Sequence, residues 1–212
     1  VLDRATGRLI SAEKTGKVTW ADRIDLKTGR PVERPGIRYE DASVDIYPGP
    51  AGRHNWQQMA FSPRTGLVYM AVQNQGIRFA PSSVGNSGKV NPAGAMTLID
   101  QHPDDRTGWL LAWDPVRQKE AWKLKLPTFW NGGVLATQGG LVFQGAADGV
   151  FSGYDAKTGT RLWRFNAGHG FQAAPISYAV KGRQYIAILS GYGGAAPVGG
   201  NNVGWKYTAP RR

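Results

Sequence analysis

The chain has 212 residues, a formal net charge of +11, 29 glycines, 13 prolines and no cysteine. Without cysteine, these residues hold neither a disulfide framework nor a Cys-based zinc or haem-attachment site. No apolar run is long enough to cross a bilayer, and the glycine, proline and aromatic content suits short strands and tight turns better than a helical bundle.

In chain order, Val1-Leu2-Asp3-Arg4 reads as the end of a strand entering a turn, so further sequence is expected upstream. The turn itself, Asp3-Arg4-Ala5-Thr6-Gly7, recurs as Asp25-Leu26-Lys27-Thr28-Gly29 and as Asp155-Ala156-Lys157-Thr158-Gly159. Asp can accept backbone hydrogen bonds at the first turn position, and Gly supplies the positive φ that re-enters the next strand. His54-Asn55-Trp56 stands before an expected inner strand, and Gly66 to Val72 is a glycine-bounded strand of β-branched and aromatic residues. The polar, glycine-rich stretch from about 80 to 107 reads as a long loop. The most helix-like stretch, Trp113 to Lys125, is broken by Pro115 and Pro127. Further strands follow at Gly140 to Gln144, Val150 to Tyr154, Leu162 to Phe165 and Tyr185 to Leu189, with Ala147-Asp148-Gly149 as a hairpin turn.

These elements repeat. Ala112-Trp113-Asp114 and Gly153-Tyr154-Asp155 stand 41 residues apart, as do Trp122 and Trp163, and Trp130 and Phe171. Trp56 and Leu67-Val68-Tyr69 match Trp130 and Leu141-Val142-Phe143 at an offset of 74, one repeat plus 33 inserted residues. A four-stranded unit of about 40 residues predicts an all-β fold, a β-propeller of about four blades, spanning residues 1–212 as one partial domain truncated at both ends. The inserted residues are expected in the 80–107 loop.

Several segments invite a functional reading. Trp56, Trp130 and Phe171 share one register, where equivalent core aromatics and channel-lining residues are both open readings. Asn55 is harder to place in a core, because a buried amide needs several partners. Trp130-Asn131-Gly132-Gly133 sets an indole and an amide beside glycine backbone. Gly191-Tyr192-Gly193-Gly194-Ala195-Ala196 follows a strand in the loose G-x-G-x-x-A pattern. Pro197, Gly199 and Gly200 leave no helix for a pyrophosphate, so a close backbone approach is the better reading. His54, His102 and His169 lack metal-cluster spacing, no Ser/His/Asp nucleophile arrangement is present, and the carboxylates lie mostly in turns. The basic residues are scattered from Arg4 to Arg212 with acids between them, which reads as a solvated surface and not a nucleic-acid track.

Together, Val1 to Ala12, His54-Asn55-Trp56, Trp130-Asn131-Gly132-Gly133, Gly139 to Gly145 and Gly191-Tyr192-Gly193-Gly194 resemble the C-terminal part of the pyrroloquinoline-quinone (PQQ)-dependent alcohol dehydrogenases, the quinoprotein and quinohaemoprotein group. The resemblance runs along nearly the whole chain. It implies an eight-bladed propeller holding PQQ with a calcium or lanthanide ion. The implied reaction is oxidation of a small alcohol by hydride transfer to the quinone, with electrons passing to a cytochrome c or a haem c domain. Carried over by motif, Asn55 and Trp56 contact the quinone, Trp130 lines the same chamber, and Ala195 approaches the cofactor or substrate cavity. The family's catalytic aspartate, metal ligands, vicinal cysteines and stacking tryptophan lie upstream, as does the basic residue that pairs with the quinone, so Arg4 is not its equivalent. No catalytic residue or metal ligand is therefore expected in this chain, which is expected to be inactive without the missing N-terminal half. A periplasmic location follows from the same resemblance. The competing class is a non-enzymatic propeller scaffold for protein–protein interaction, which keeps the turn-and-tryptophan repeat and has no use for the His-Asn-Trp and Trp-Asn-Gly-Gly pair.

Overall fold

The computed structural model describes residues 1–81 and 95–191, and these divide into two compact units. One unit comprises Val1–Arg53 with Asn74–Asp105, and the other His54–Gln73 with the chain from Arg106 onward. All fifteen elements among the described residues are strands. In chain order they are β1 (Ala21–Ile24), β2 (Pro31–Glu33), β3 (Val44–Ile46), β4 (Ala60–Ser62), β5 (Leu67–Asn74), β6 (Gly76–Ala80), β7 (Ala95–Ile99) and β8 (Thr107–Asp114). There follow β9 (Lys119–Leu126), β10 (Val134–Ala136), β11 (Leu141–Gly145), β12 (Val150–Asp155), β13 (Arg161–Asn166), β14 (Ile176–Val180) and β15 (Arg183–Ala187).

The second unit carries the repeat in full. Its two four-stranded sheets run β4-β5-β8-β9 and β10-β11-β12-β13, and the β14-β15 hairpin follows. Alternation puts Leu67, Tyr69, Leu110, Ala112 and Leu126 of one sheet against Val142 and Tyr154 of the other in one buried cluster. Trp122 on β9 closes that interface. Its indole Nε1–H donates to the Ala156 carbonyl at 3.1 Å, which also accepts the Tyr69 hydroxyl at 2.8 Å. The Trp122 ring lies over Gly159, where a Cβ would come within 2.8 Å of it. Glycine is needed there twice over, since its φ is +75°.

The Asp-first turns form as the sequence predicts. The Asp155 carboxylate accepts the backbone N–H groups of Lys157 and Thr158 at 2.9 and 2.8 Å and the Thr158 hydroxyl at 3.0 Å. Asp3 makes the same set with Ala5 and Thr6. These bonds favour the ionised form, so both carboxyls sit below the usual range, led by the Thr6 hydroxyl at Asp3 and the Thr158 backbone at Asp155. Asp114 opens a fourth turn of this kind, in which Gln118 adopts a φ of +52° where the others use glycine.

One expectation changes. The inserted segment begins directly after β5 and is not simply a loop. It contributes β6 and β7, which pair antiparallel with each other, and β6 also pairs with β3. The pairing works because Phe79 meets Met96 and Ile77 meets Leu98, and because Gly76 leaves room for Tyr47 and Ile99, whose atoms would lie 2.4 and 2.5 Å from a Cβ there. The strand pattern of Ala95–Ile99 is short and hidden within the polar stretch. The sheets differ in strand number. Two complete four-stranded sheets are present among the described residues, whereas the first unit's sheets have two strands and three.

The first unit is held by Asp105, which is buried. Its carboxylate accepts the Tyr47 hydroxyl at 2.8 Å, the Asn74 amide at 3.1 Å and the backbone N–H groups of Gln101 and His102. Burial first, and the Asp105 carboxylate second, hold the Tyr47 phenol protonated well above its ordinary range.

Candidate functional site

The candidate residues that fall together lie where the chain enters the inner strands β4 and β10 of the second unit. Trp56 and Trp130 approach with ring centroids 6.5 Å apart and planes inclined by 30°. Trp56 keeps 43% of its surface open, far more than core packing leaves to a tryptophan. Trp130 is half-buried, and its indole nitrogen is fully buried with no hydrogen-bond partner. A buried N–H without an acceptor is costly and calls for explanation. Phe171 holds the same register and does something else. It is 2% exposed and packs on Gly145 and Phe151, so of the three aligned aromatics one is core, one is half-buried and Trp56 is open.

Backbone bonds fix this face. His54 Nδ1–H donates to the Ala71 carbonyl at 2.7 Å, since a carbonyl can only accept. Asn55 is exposed, and its backbone N–H donates to Gln57 Oε1 at 3.3 Å. On the Trp130 side, Gly132 N–H donates to the Gly145 carbonyl at 3.0 Å and Val134 N–H to the Gln58 carbonyl at 3.0 Å.

The glycines and the amide of Trp130-Asn131-Gly132-Gly133 serve the scaffold. A Cβ on Gly132 would lie 2.7 Å from the Ala173 carbonyl, and one on Gly133 2.9 Å from the Gln58 nitrogen. These glycines let strands approach and are not open to a ligand. Asn131 is 2% exposed; it accepts the Thr128 hydroxyl and, at 3.2 Å, the Ala147 N–H, and it donates to the Thr128 carbonyl at 2.7 Å. Both acceptor positions and one donor of its amide are taken up within the fold.

Three further residues belong here that the sequence reading passed over. Gln57, Gln144 and Gln172 are 2%, 2% and 5% exposed. Gln144 Nε2–H donates to the Gly132 carbonyl at 2.9 Å and Gln172 Nε2–H to the Trp130 carbonyl at 3.1 Å. Gln57 Nε2, Gln144 Oε1 and Gln172 Oε1 are buried without partners. A signal was present: Gln57, Asn131 and Gln172 each follow the register aromatic, so the repeat places an amide after the ring three times.

Ala195, with most of the Gly191 to Ala196 run, lies outside the described residues; Gly191 itself bridges Phe171 in parallel. His102 Nδ1 accepts the Asp104 N–H, and the His169 carbonyl accepts the Ser190 hydroxyl. Burial pushes the Asp148 carboxyl up, while the Val150 N–H bond opposes it, and the side chain acts as a hairpin-turn acceptor.

The face suits a flat, oxygen-rich ligand. Trp56 keeps an open indole surface, and next to it in space or sequence Trp130 Nε1–H and Gln57 Nε2–H are buried donors without a hydrogen-bond partner. PQQ, a planar quinone edged with carboxylates, has that shape and those acceptors, so the donor set fits it.

Residues 92–186 match the PQQ family described as glucose/ethanol/alcohol dehydrogenase, beta-propeller domain. Over 94% of its length the chain is 50% identical to the quinohemoprotein alcohol dehydrogenase ADH IIB of Pseudomonas putida, of which it covers 29%. The crystal structure of the quinohemoprotein alcohol dehydrogenase from Comamonas testosteroni superposes with a TM-score of 0.78 at 39% identity, over 90% of this chain and 30% of that one. A europium-containing methanol dehydrogenase gives a TM-score of 0.77 at 32% identity, over 88% of this chain and 34% of that one. The fold is therefore that of a PQQ-type β-propeller. Along nearly its whole length the chain is related to the PQQ-dependent alcohol dehydrogenases, and it spans about 30% of the length of the relatives it matches.

Proposed function

We propose that this chain is the C-terminal part of the propeller of a PQQ-dependent alcohol dehydrogenase and forms one side of its quinone chamber. The observation that carries the reading is the buried, unpartnered Trp130 indole N–H beside the open Trp56 ring. When bound, PQQ supplies a two-electron acceptor for the hydride of an alcohol carbon.

The chain's own residues bind and orient. Trp130 Nε1–H donates to an oxygen of the ligand, which removes the cost of an unpaired buried donor. Trp56 covers apolar ring surface and excludes water from it. Asn55, held at its backbone by Gln57, offers an amide at the ligand edge. The proton acceptor and the ligands of a calcium or lanthanide ion come from the remainder of the protein. Among the described residues, no group of three or more His, Cys, Asp or Glu is placed to hold a metal. Electrons leave to a cytochrome c or a haem c domain, and the protein works in the periplasm on small alcohols.

The test uses the full-length protein that carries this chain, reconstituted with PQQ and calcium or a lanthanide and assayed by dye reduction with primary alcohols. The expected result is PQQ-dependent turnover that falls at least tenfold in Asn55→Ala, with no turnover from the isolated 212-residue chain. A full-length protein that neither binds PQQ nor reduces dye would overturn the reading in favour of a scaffold. Turnover by the isolated chain would overturn the division of labour.

A further inference from the structure

The buried amides of the second unit point beyond the contacts just assigned. Gln57, Asn131 and Gln172 occupy equivalent positions in successive repeats, and their bonds differ. Gln57 and Asn131 bond within their own segment or its adjoining hairpin. Gln172 reaches back 42 residues to the repeat before it, where its Nε2–H meets the Trp130 carbonyl. Gln144 meets the Gly132 carbonyl two residues further along. Trp130 is thus held from behind, at its own carbonyl and at that of Gly132, by two side chains buried to 95% or more. Its indole N–H is left without a partner in the protein.

We infer that Gln172, assisted by Gln144, is a positioning residue that sets the Trp130 indole N–H toward the quinone. The inference rests on the proposed quinone chamber. A hydrogen bond to the peptide carbonyl limits rotation of the Trp130 backbone, and the indole inherits that restraint through its Cα–Cβ bond. The register explains why an amide is needed. Phe171 has moved into the core and cannot support a ligand, while the residue after it is still aimed at the neighbouring repeat. A hydrophobic side chain at 172 would fill the same space and leave the Trp130 carbonyl unpaired.

The experiment is 19F NMR of the full-length protein labelled with 5-fluorotryptophan, combined with PQQ titration. The Trp130 resonance is assigned by its loss in Trp130→Phe. In Gln172→Met, which keeps the volume and removes the donor, that resonance shifts or broadens while the others hold, and PQQ affinity falls about tenfold. In the double variant Trp130→Phe/Gln172→Met the loss is no larger than in Trp130→Phe alone. Gln172→Glu recovers the Trp130 resonance position as pH falls and the carboxyl gains a proton to donate, a response that simple packing would not give. An unmoved Trp130 resonance in Gln172→Met, or additive losses in the double variant, overturns the positioning role and leaves the chamber intact. Unchanged PQQ affinity in Trp130→Phe overturns the chamber reading, and the positioning role with it.

Discussion

Trp122→Ala is expected to lower the stability of the protein by about 3 kcal/mol, in the range for truncating a large, partly buried aromatic. The side chain supplies three things at one place. Its ring packs against Tyr69 at a centroid distance of 5.7 Å, its face covers Gly159, and its Nε1–H bonds the Ala156 carbonyl. Because Ala156 belongs to the turn of the next repeat, the loss falls on the joint between the two four-stranded sheets. Trp122→Phe separates the terms: it keeps most of the ring and loses the hydrogen bond, for a cost of about 1 kcal/mol. Denaturant unfolding of the three proteins measures both. Equal stability of the alanine variant and the parent would show that the sheets hold without this contact.

Asn131→Ala is expected to cost a similar amount, about 3 kcal/mol, for a different reason. Little apolar area is lost. Instead the Thr128 carbonyl, the Thr128 hydroxyl and the Ala147 N–H lose their common partner at a site 2% exposed to water. Each buried polar group left unpaired costs about 1–3 kcal/mol, with partial relief from rearrangement. Asn131→Asp discriminates further, since a carboxylate still accepts from Thr128 and Ala147 and repels the Thr128 carbonyl. Denaturant unfolding and PQQ titration together check the account: both variants lose stability, and each retains quinone affinity under conditions where it is folded. A quinone contact made by Asn131 itself would reverse that pattern.

The fold was legible because its signals are local and periodic. Asp3, Asp25 and Asp155 announce turns whose chemistry is complete within five residues, and Trp122 and Trp163 keep the 41-residue interval. Strand β7 was hidden because Ala95–Ile99 is short and sits in a polar, glycine-rich stretch; its pairing with β6 depends on partners elsewhere in the chain. At the site, Asn55 stood out as a residue type that a core seldom explains, and Trp56 and Trp130 stood out through the motifs around them. Register alone aligned Phe171 with Trp56 and Trp130, and only packing separates them, because Gly145 makes room for Phe171 to enter the core. Gln57, Gln144 and Gln172 were overlooked because glutamine looks like surface in a sequence. Their role appears only once burial and the carbonyls they meet are known.

The central claim is that the Trp56–Trp130 face binds the quinone. Titration of the full-length protein with PQQ, comparing the parent with Trp130→Phe, tests it most directly. The account predicts one saturable site whose affinity falls about tenfold when the indole N–H is removed, as for loss of a hydrogen bond to a charged or strongly polar oxygen. Equal affinity in parent and variant would contradict it.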